Sequence, residues 1–377
     1  MLVVDDDMVQ CPNATFTSIN AAVLAAPPNG TIRVCPGLYK ESVFIPPTKS
    51  GLVIQAPRHQ GEATECKAGT APDPTQEAIV LYNNSLNGGN PSEGFDIEAS
   101  NVVIEGFVVQ PDPAIVTHDG VGIFASRFVS GWEIRHNIVQ RNTIGIYVNS
   151  NGAAPSAVRQ NCARNNNLGG AAAGNGVYSD QGLQHARIEN NFFTGHTNAA
   201  VVIDTFLTTP SDVQVTHNET VNDAAIVVAD SANMTISYNS VSNSSGSGIV
   251  LFFVNGGEVS YNNLQGGAFN GISFHFANQI WVKSNKAASF TLSGVRLGDS
   301  SNNNTIETNR SVTNGEAGMN LTGSSNNNSV RNNHMSGNGV DCFDDTIGGG
   351  SGGSANFWIN DLGQTQNRPG LCKHATP

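Results

Sequence analysis

Positive charge is scarce in this 377-residue chain: Lys and Arg number 18 against 30 Asp and Glu, a formal net charge of −12. A nucleic-acid partner needs a basic face, so the balance argues against that class. The same balance disfavours a polyanionic substrate unless a local basic cluster overrides it. Long apolar runs are missing too, and none reaches the ~20 residues that a membrane-spanning helix needs, so no membrane partner is expected. No secretory signal precedes Met1-Leu2-Val3-Val4-Asp5, which reads as a mature chain given a start Met. The cysteines (Cys11, Cys35, Cys66, Cys162, Cys342 and Cys372) include no Cys-x-x-Cys pair, which removes the usual zinc spacing. A Gly-rich phosphate loop, a nucleophile elbow and a His-Glu-x-x-His pattern are absent. Pro is too sparse for a disordered linker.

What is abundant is Gly and Asn, and both recur in ladders. Gly followed by an apolar residue appears at Gly122, Gly145, Gly176, Gly248, Gly271, Gly294 and Gly318, with Ala200-Val201 and Ala225-Ile226 filling the gap. Short apolar strands end at Asn137, Asn191, Asn218, Asn239, Asn262, Asn285, Asn309 and Asn333, and Asn161 joins the same column. The spacing is 21 to 31 residues, mostly 23 or 24. That is one coil of three short strands and three turns. Asn tolerates the left-handed backbone of a corner, and its amide can bond the Asn of the next coil. One coil cannot bury its own apolar face, so stacked coils make the core. The expected fold is therefore all-β: a single-stranded right-handed parallel β-helix, or solenoid.

The ends need covers, because an open end exposes strand edges. Phe16 to Ala26, with Ile19, Val23 and Leu24 at helical spacing, reads as an N-terminal capping helix stopped by Pro27-Pro28. Thr31 to Val34 then begins a strand, and Pro36 to Tyr39 turns out of it. The expected layout is one structural domain: a cap over residues 1–50, coils over 51–340 and a C-terminal capping tail over 341–377. Cys11 with Cys35, and Cys342 with Cys372, would close one loop at each end, which favours a secreted protein in an oxidising compartment. Cys66 and Cys162 either pair or stay free.

The ladders and the cap resemble the pectate-lyase-like superfamily of right-handed parallel β-helices, of a secreted actinobacterial type, with repeats similar to those of mannuronan epimerases and related carbohydrate-binding proteins. The resemblance implies a carbohydrate-active protein with its cleft along the first sheet, the one built from the Gly-ladder strands. His118-Asp119 resembles half of the epimerases' Asp-Pro-His-Asp motif, and Asp180 with His185 is a looser match. The paired Asp-Asp and Gly-His-Gly signatures of polygalacturonases do not occur together.

Strand alternation assigns the faces. In each Gly-ladder strand, positions one and three after the Gly point inward, as in Ile146 and Val148 or Ile272 and Phe274. Positions two and four point outward, which places Tyr147, Tyr178, Asp180, Asp204, Phe252, Ser273, His275 and Arg296 on the outer face, with Asp230 close to the line of the aspartates. Tyr147, Tyr178 and Phe252 suit stacking on sugar rings, and His118 and Asp119 would form a wall.

Two clusters carry candidate chemistry. Asp180, Asp204 and Asp230 suit glycoside hydrolysis by paired carboxylates, or a Ca²⁺ ion held by hard oxygens; the plain structural alternative is solvated turn aspartates. His275 and Arg296, on adjacent coils, suit β-elimination or C5 epimerisation of a uronic acid. Arg would neutralise the sugar carboxylate, and His, or Tyr178 from the far side, would exchange the proton. The alternative is a surface His and a surface Arg. The leading expectation is a polysaccharide lyase or uronate epimerase, followed by a glycoside hydrolase and by a non-enzymatic carbohydrate-binding or cell-surface β-helix. The partner in each case is a polysaccharide or oligosaccharide. Monomer and homo-oligomer both fit. Lys283 reads as a solvated residue of the second sheet.

Overall fold

A computed structural model describes the chain apart from residues 58–65, 67–68, 70, 83–92, 115–119 and 375–377. The chain divides into two compact units, Met1–Val201 with Phe206–Thr208, and Val202–Thr205 with Thr209–Pro377. Each is a solenoid of parallel strands arranged in three sheets. In the first unit, Val43–Ile45, Glu93–Ile97, Val121–Ala125, Ile144–Val148 and Asn175–Ser179 pair in that order to form the Gly-ladder sheet. In the second, Ala225–Ala229, Ile249–Phe252, Ile272–His275, Val295–Gly298, Ala317–Leu321 and Val340–Asp344 do the same. A second sheet in each unit ends its strands on the Asn ladder, and a third closes the coil.

The inward column is buried as alternation requires. Ile146, Val148, Val177, Ile249, Leu251, Ile272, Phe274, Val295 and Leu297 are all at most 1% exposed. Each such side chain contributes about 1.5–3 kcal/mol by leaving water. The outward column is less uniform. Tyr147, Tyr178, His275 and Arg296 are half-buried and Phe252 is exposed, but Asn149, Ser273 and Asn320 are buried on that same face.

The Asn ladder forms as expected, with a correction to its geometry. Asn262 donates its amide to Asn285 Oδ1 at 2.9 Å and to the Ile236 carbonyl at 2.9 Å, while its backbone N–H donates to the same Asn285 oxygen at 3.0 Å. The pattern repeats through Asn285, Asn309 and Asn333 and ends on Asp361. These amides are buried and paired, which avoids the penalty of an unsatisfied polar group. The left-handed residue is not the Asn but its predecessor: His136, Gln160, Asn190, His217, Tyr238, Tyr261, Ser284, Thr308 and Asn332 have φ between 54° and 58°. The Asn must keep a backbone that turns its amide inward, so the preceding residue takes the corner.

The helix spans Ile19–Ala25, shorter than the expected Phe16 to Ala26. Ser18 caps it by accepting from the Ala21 N–H at 3.3 Å, and the Glu41 carboxylate accepts from the Ile19 and Asn20 N–H groups at 2.7 and 3.0 Å. Ala26 is extended because Pro27 follows it. Ile19, Ala22 and Val23 form the buried stripe, and Leu24, expected on it, is exposed because it lies five residues from Ile19. The helix packs on the strands Leu2–Val4, Thr31–Val34 and Val43–Ile45. Gly37 to Tyr39, expected to turn away, forms a strand of the third sheet. Both expected disulfides form, and Cys66 pairs with Cys162.

Candidate functional site

In the first unit the outer face of the Gly-ladder sheet is an aromatic strip. Phe44, Asp96, Phe124, Tyr147 and Tyr178 are successive register partners. The Phe124 and Tyr147 rings lie 5.1 Å apart edge to face, and Tyr147 and Tyr178 5.4 Å apart. Asp180 accepts hydrogen bonds from both phenols, and Gln181 donates to the Tyr147 oxygen at 2.6 Å. Burial, then the hydrogen bond to Asp180, holds the Tyr147 phenol well above the usual phenol range. The candidate carboxylate here is thus occupied, and the candidate proton exchanger Tyr178 donates to it.

Sequence reasoning passed over the acids at the far end of this strip. Glu93 is pushed up to about 8 by burial and by the charge of Asp96. Asp96 is pushed up to about 6 by burial and by Glu98, and its Oδ1 is buried without a partner. His118 and Asp119 lie outside the described residues.

The second unit holds the rest. In the Asp204 and Asp230 pair, burial followed by the Asp204 charge raises the Asp230 carboxyl. Asp180 belongs to the first unit. Among the described residues, the one trio of carboxylates within reach of a single ion is Asp5, Asp6 and Asp7, none of them expected as a ligand.

Further along the second unit, His275 meets partners that were not anticipated, and Arg296 meets none among the described residues. His275 Nδ1 lies 2.6 Å from Asp299 Oδ2, and His275 Nε2 lies 3.0 Å from Ser273 Oγ. A carboxylate only accepts, so Nδ1 carries a hydrogen, and in the neutral ring Nε2 is the accepting nitrogen. Arg296 is the register partner of Ser273, and Gly298 of His275. The guanidinium lies against Gly298, where an added Cβ would stand 2.6 to 2.7 Å from its atoms. Arg296 makes no hydrogen bond or ion pair among the described residues. Beside this cluster stand three exposed rings: Phe253 and Phe276 stack 4.7 Å apart, and Phe252 lies 4.5 Å from Phe253 and 6.0 Å from the His275 ring.

The turn after each Gly-ladder strand explains why these groups converge. Asp230, Phe253, Phe276 and Asp299 each take a left-handed φ, 46° to 53°, at that corner. Asp tolerates this backbone, but Phe is strained there by about 1–3 kcal/mol. The column gave a signal for Asp299, since Asp230 occupies the equivalent place. Nothing in composition marks Ser273, which looks like any outward serine.

Comparison with known proteins agrees with this architecture. The family model described as periplasmic copper-binding protein (NosD) matches residues 73–267, more than half of the chain. The chain belongs to the NosD family. A second model, right handed beta helix region, matches residues 198–358 of this NosD-family chain. No curated relative matches its sequence. Among solved structures it is similar to the catalytic unit of the thermostable GH87 alpha-1,3-glucanase from Streptomyces thermodiastaticus, with 13% identity and a TM-score of 0.55 over 93% of this chain. It spans 65% of that glucanase unit. It is also similar to DFA-IIIase from Arthrobacter chlorophenolicus without its lid, with 15% identity and a TM-score of 0.54 over 100% of this chain and 99% of the other. At such identities the likeness is one of fold.

Lys283, expected to be solvated, pairs with Glu258 at 3.2 Å and sits 3.6 Å above the Trp281 ring. It is a surface anchor of the second sheet and faces no candidate site.

Proposed function

We propose that this is a carbohydrate-active protein that works outside the cytoplasm, where its three disulfides persist. An extended oligosaccharide or polysaccharide lies along the outer face of the Gly-ladder sheet of the second unit. The exposed Phe252, Phe253 and Phe276 rings offer apolar faces to sugar rings. The similar solved structures include a glucanase, which supports the ligand class.

The reaction is proton transfer at a uronic acid, as in a lyase or epimerase. The observation that carries it is the unpaired Arg296 guanidinium lying one coil from a histidine whose base nitrogen is fixed by Asp299. Arg296 pairs with the sugar carboxylate and acidifies the adjacent C5–H bond. His275 Nε2 takes that proton once the Ser273 hydroxyl rotates away. Asp299 positions the ring and stabilises the imidazolium that forms.

Glycoside hydrolysis by Asp204 and Asp230 is supported less well. Its one sign is the raised Asp230 carboxyl, owed first to burial and then to the Asp204 charge. The family description names copper, which is held by imidazole, thiolate and thioether donors. All six cysteines are in disulfides, and among the described residues the one group of three His, Cys, Asp or Glu side chains that could hold an ion is Asp5–Asp7, a set of hard oxygens. These residues do not fit copper, and no step is routed through it.

The test is a glycan panel read in two ways. Ultraviolet-absorbing unsaturated ends that vanish in His275→Ala support the lyase. Exchange of the C5 hydrogen with deuterated solvent, without chain cleavage, supports the epimerase. New reducing ends without absorbance, lost in Asp204→Asn, would replace this reading with hydrolysis.

A further inference from the structure

We propose that Ser273, His275 and Asp299 form a nucleophilic triad that cleaves a small acyl ester carried by the glycan. The proposal rests on the preceding reading for its ligand, and it draws on the same imidazole, which serves one reaction or the other in turn.

Geometry carries the argument. A nucleophile–base–orienter relay needs each pair within about 2.6–3.2 Å. Ser273 Oγ to His275 Nε2 is 3.0 Å, and His275 Nδ1 to Asp299 Oδ2 is 2.6 Å. The tautomer is the productive one, because Asp299 holds the hydrogen on Nδ1 and Nε2 faces the hydroxyl. Such a relay is recognised by geometry and roles rather than by fold or motif, so the absence of a nucleophile elbow does not count against it. The scaffold builds it economically: Ser273 and His275 are two residues apart on one strand and share its outer face, and Asp299 occupies the corner one coil on.

An acyl-transfer site also needs a partner for the oxyanion. Arg296, the register neighbour of Ser273, has no partner among the described residues. Next in the column, Asn320 is buried with its Oδ1 unpaired, so it takes no charge from the guanidinium. Gly298 makes room for the guanidinium, since any Cβ there would meet it.

The steps balance. Ser273 Oγ bonds to the ester carbonyl carbon while its proton passes to His275 Nε2. The tetrahedral oxyanion faces Arg296. The bond from carbon to the sugar oxygen breaks, and that oxygen takes the proton from Nε2. A water molecule then attacks the acyl-serine, giving its proton to Nε2, and the serine oxygen recovers that proton as it leaves. The products are a free sugar hydroxyl and a carboxylic acid. Ser273 is 2% exposed, so the acyl group is a small one such as acetyl.

The experiment uses the whole chain with a serine-directed fluorophosphonate and a chromogenic acetate ester. A single adduct on Ser273, located by mass spectrometry, is expected. Ser273→Ala should lose both the adduct and ester turnover, by at least 1,000-fold. Asp299→Asn tests positioning, with a 10- to 100-fold loss and a changed pH profile that a merely structural role would not give. Gly298→Ala should displace the guanidinium and slow turnover 10- to 100-fold while the serine still reacts. A butyrate ester should turn over at least tenfold more slowly than the acetate. No adduct, an adduct at another serine, or turnover that survives Ser273→Ala overturns the proposal. The glycan-panel absorbance and exchange assays judge the uronate reading separately.

Discussion

The two units carry the same strand column with opposite chemistry. In the first, the outward acid Asp180 is held by two tyrosine hydroxyls and the aromatic rings lean on one another. In the second, a guanidinium lies unpaired beside an imidazole whose basic nitrogen is already aimed at a hydroxyl. Position on the coil alone does not distinguish them, since both sets point outward from the Gly-ladder sheet. What separates them is the Arg296 guanidinium, which has no hydrogen bond or ion pair among the described residues, whereas Asp180 is held by two phenols. The held carboxylate stabilises the fold, and the unpaired guanidinium is free to act on a ligand.

The sharpest way to break this comparison is to remove one group from each column. His275→Ala should reduce glycan turnover by at least 1,000-fold, about 4 kcal/mol in the barrier, with the melting temperature little changed. Asp180→Asn should do the reverse. It removes the charged acceptor of two hydrogen bonds, at a cost of roughly 1–3 kcal/mol in stability by urea titration. Turnover lost in Asp180→Asn with unchanged stability would reverse the roles assigned to the two units.

The coil and its faces were legible in the sequence because burial repeats. Gly and Asn recur at fixed spacing, and alternation then dictates which side chains enter the core, as Ile272 and Phe274 show. The site was legible only in part. His275 and Arg296 stand out as rare residue types, but their value depends on Ser273 and Asp299, reached through corner geometry. That geometry is set by residues such as Phe276 in a left-handed backbone that Phe rarely adopts, so no propensity announces it. Asp180 was legible as an outward carboxylate, but its hold by the Tyr147 and Tyr178 hydroxyls was not, since that depends on side-chain reach rather than on strand alternation.

A smaller effect separates the units by what their buried polar groups require. The Asn ladder of the second unit is self-satisfied, so Asn262→Ala should cost about 1–3 kcal/mol by taking the acceptor from the Asn239 backbone N–H, one of two acceptors from its side-chain amide, and a donor from the Ile236 carbonyl. Urea midpoints against those of Asn263→Ala, an exposed neighbour, give the comparison. An equal loss in both would mean that the ladder adds nothing beyond ordinary packing.

The smallest expected effect is a pH dependence rooted in the first unit. The folded carboxyls of Glu93 and Asp96 lie near 8 and 6, raised from ordinary values of 4.5 and 3.8. Between the ordinary and folded values the native state binds more protons than the unfolded chain does. Stability from these groups is therefore fully present below about pH 4, and it is lost as pH rises through 6 for Asp96 and 8 for Glu93. Screening by the solvent that reaches these half-buried groups leaves about 1 kcal/mol between pH 5 and 8. Glu93→Gln keeps the shape without the charge, so it should flatten the decline in urea midpoint between pH 6 and 8 and leave the decline below pH 6 to Asp96. A decline that is unaltered in Glu93→Gln would place the titrating group elsewhere, and a rise in stability over this range would mean that these carboxyls find cations in solution and behave like the satisfied Asp180.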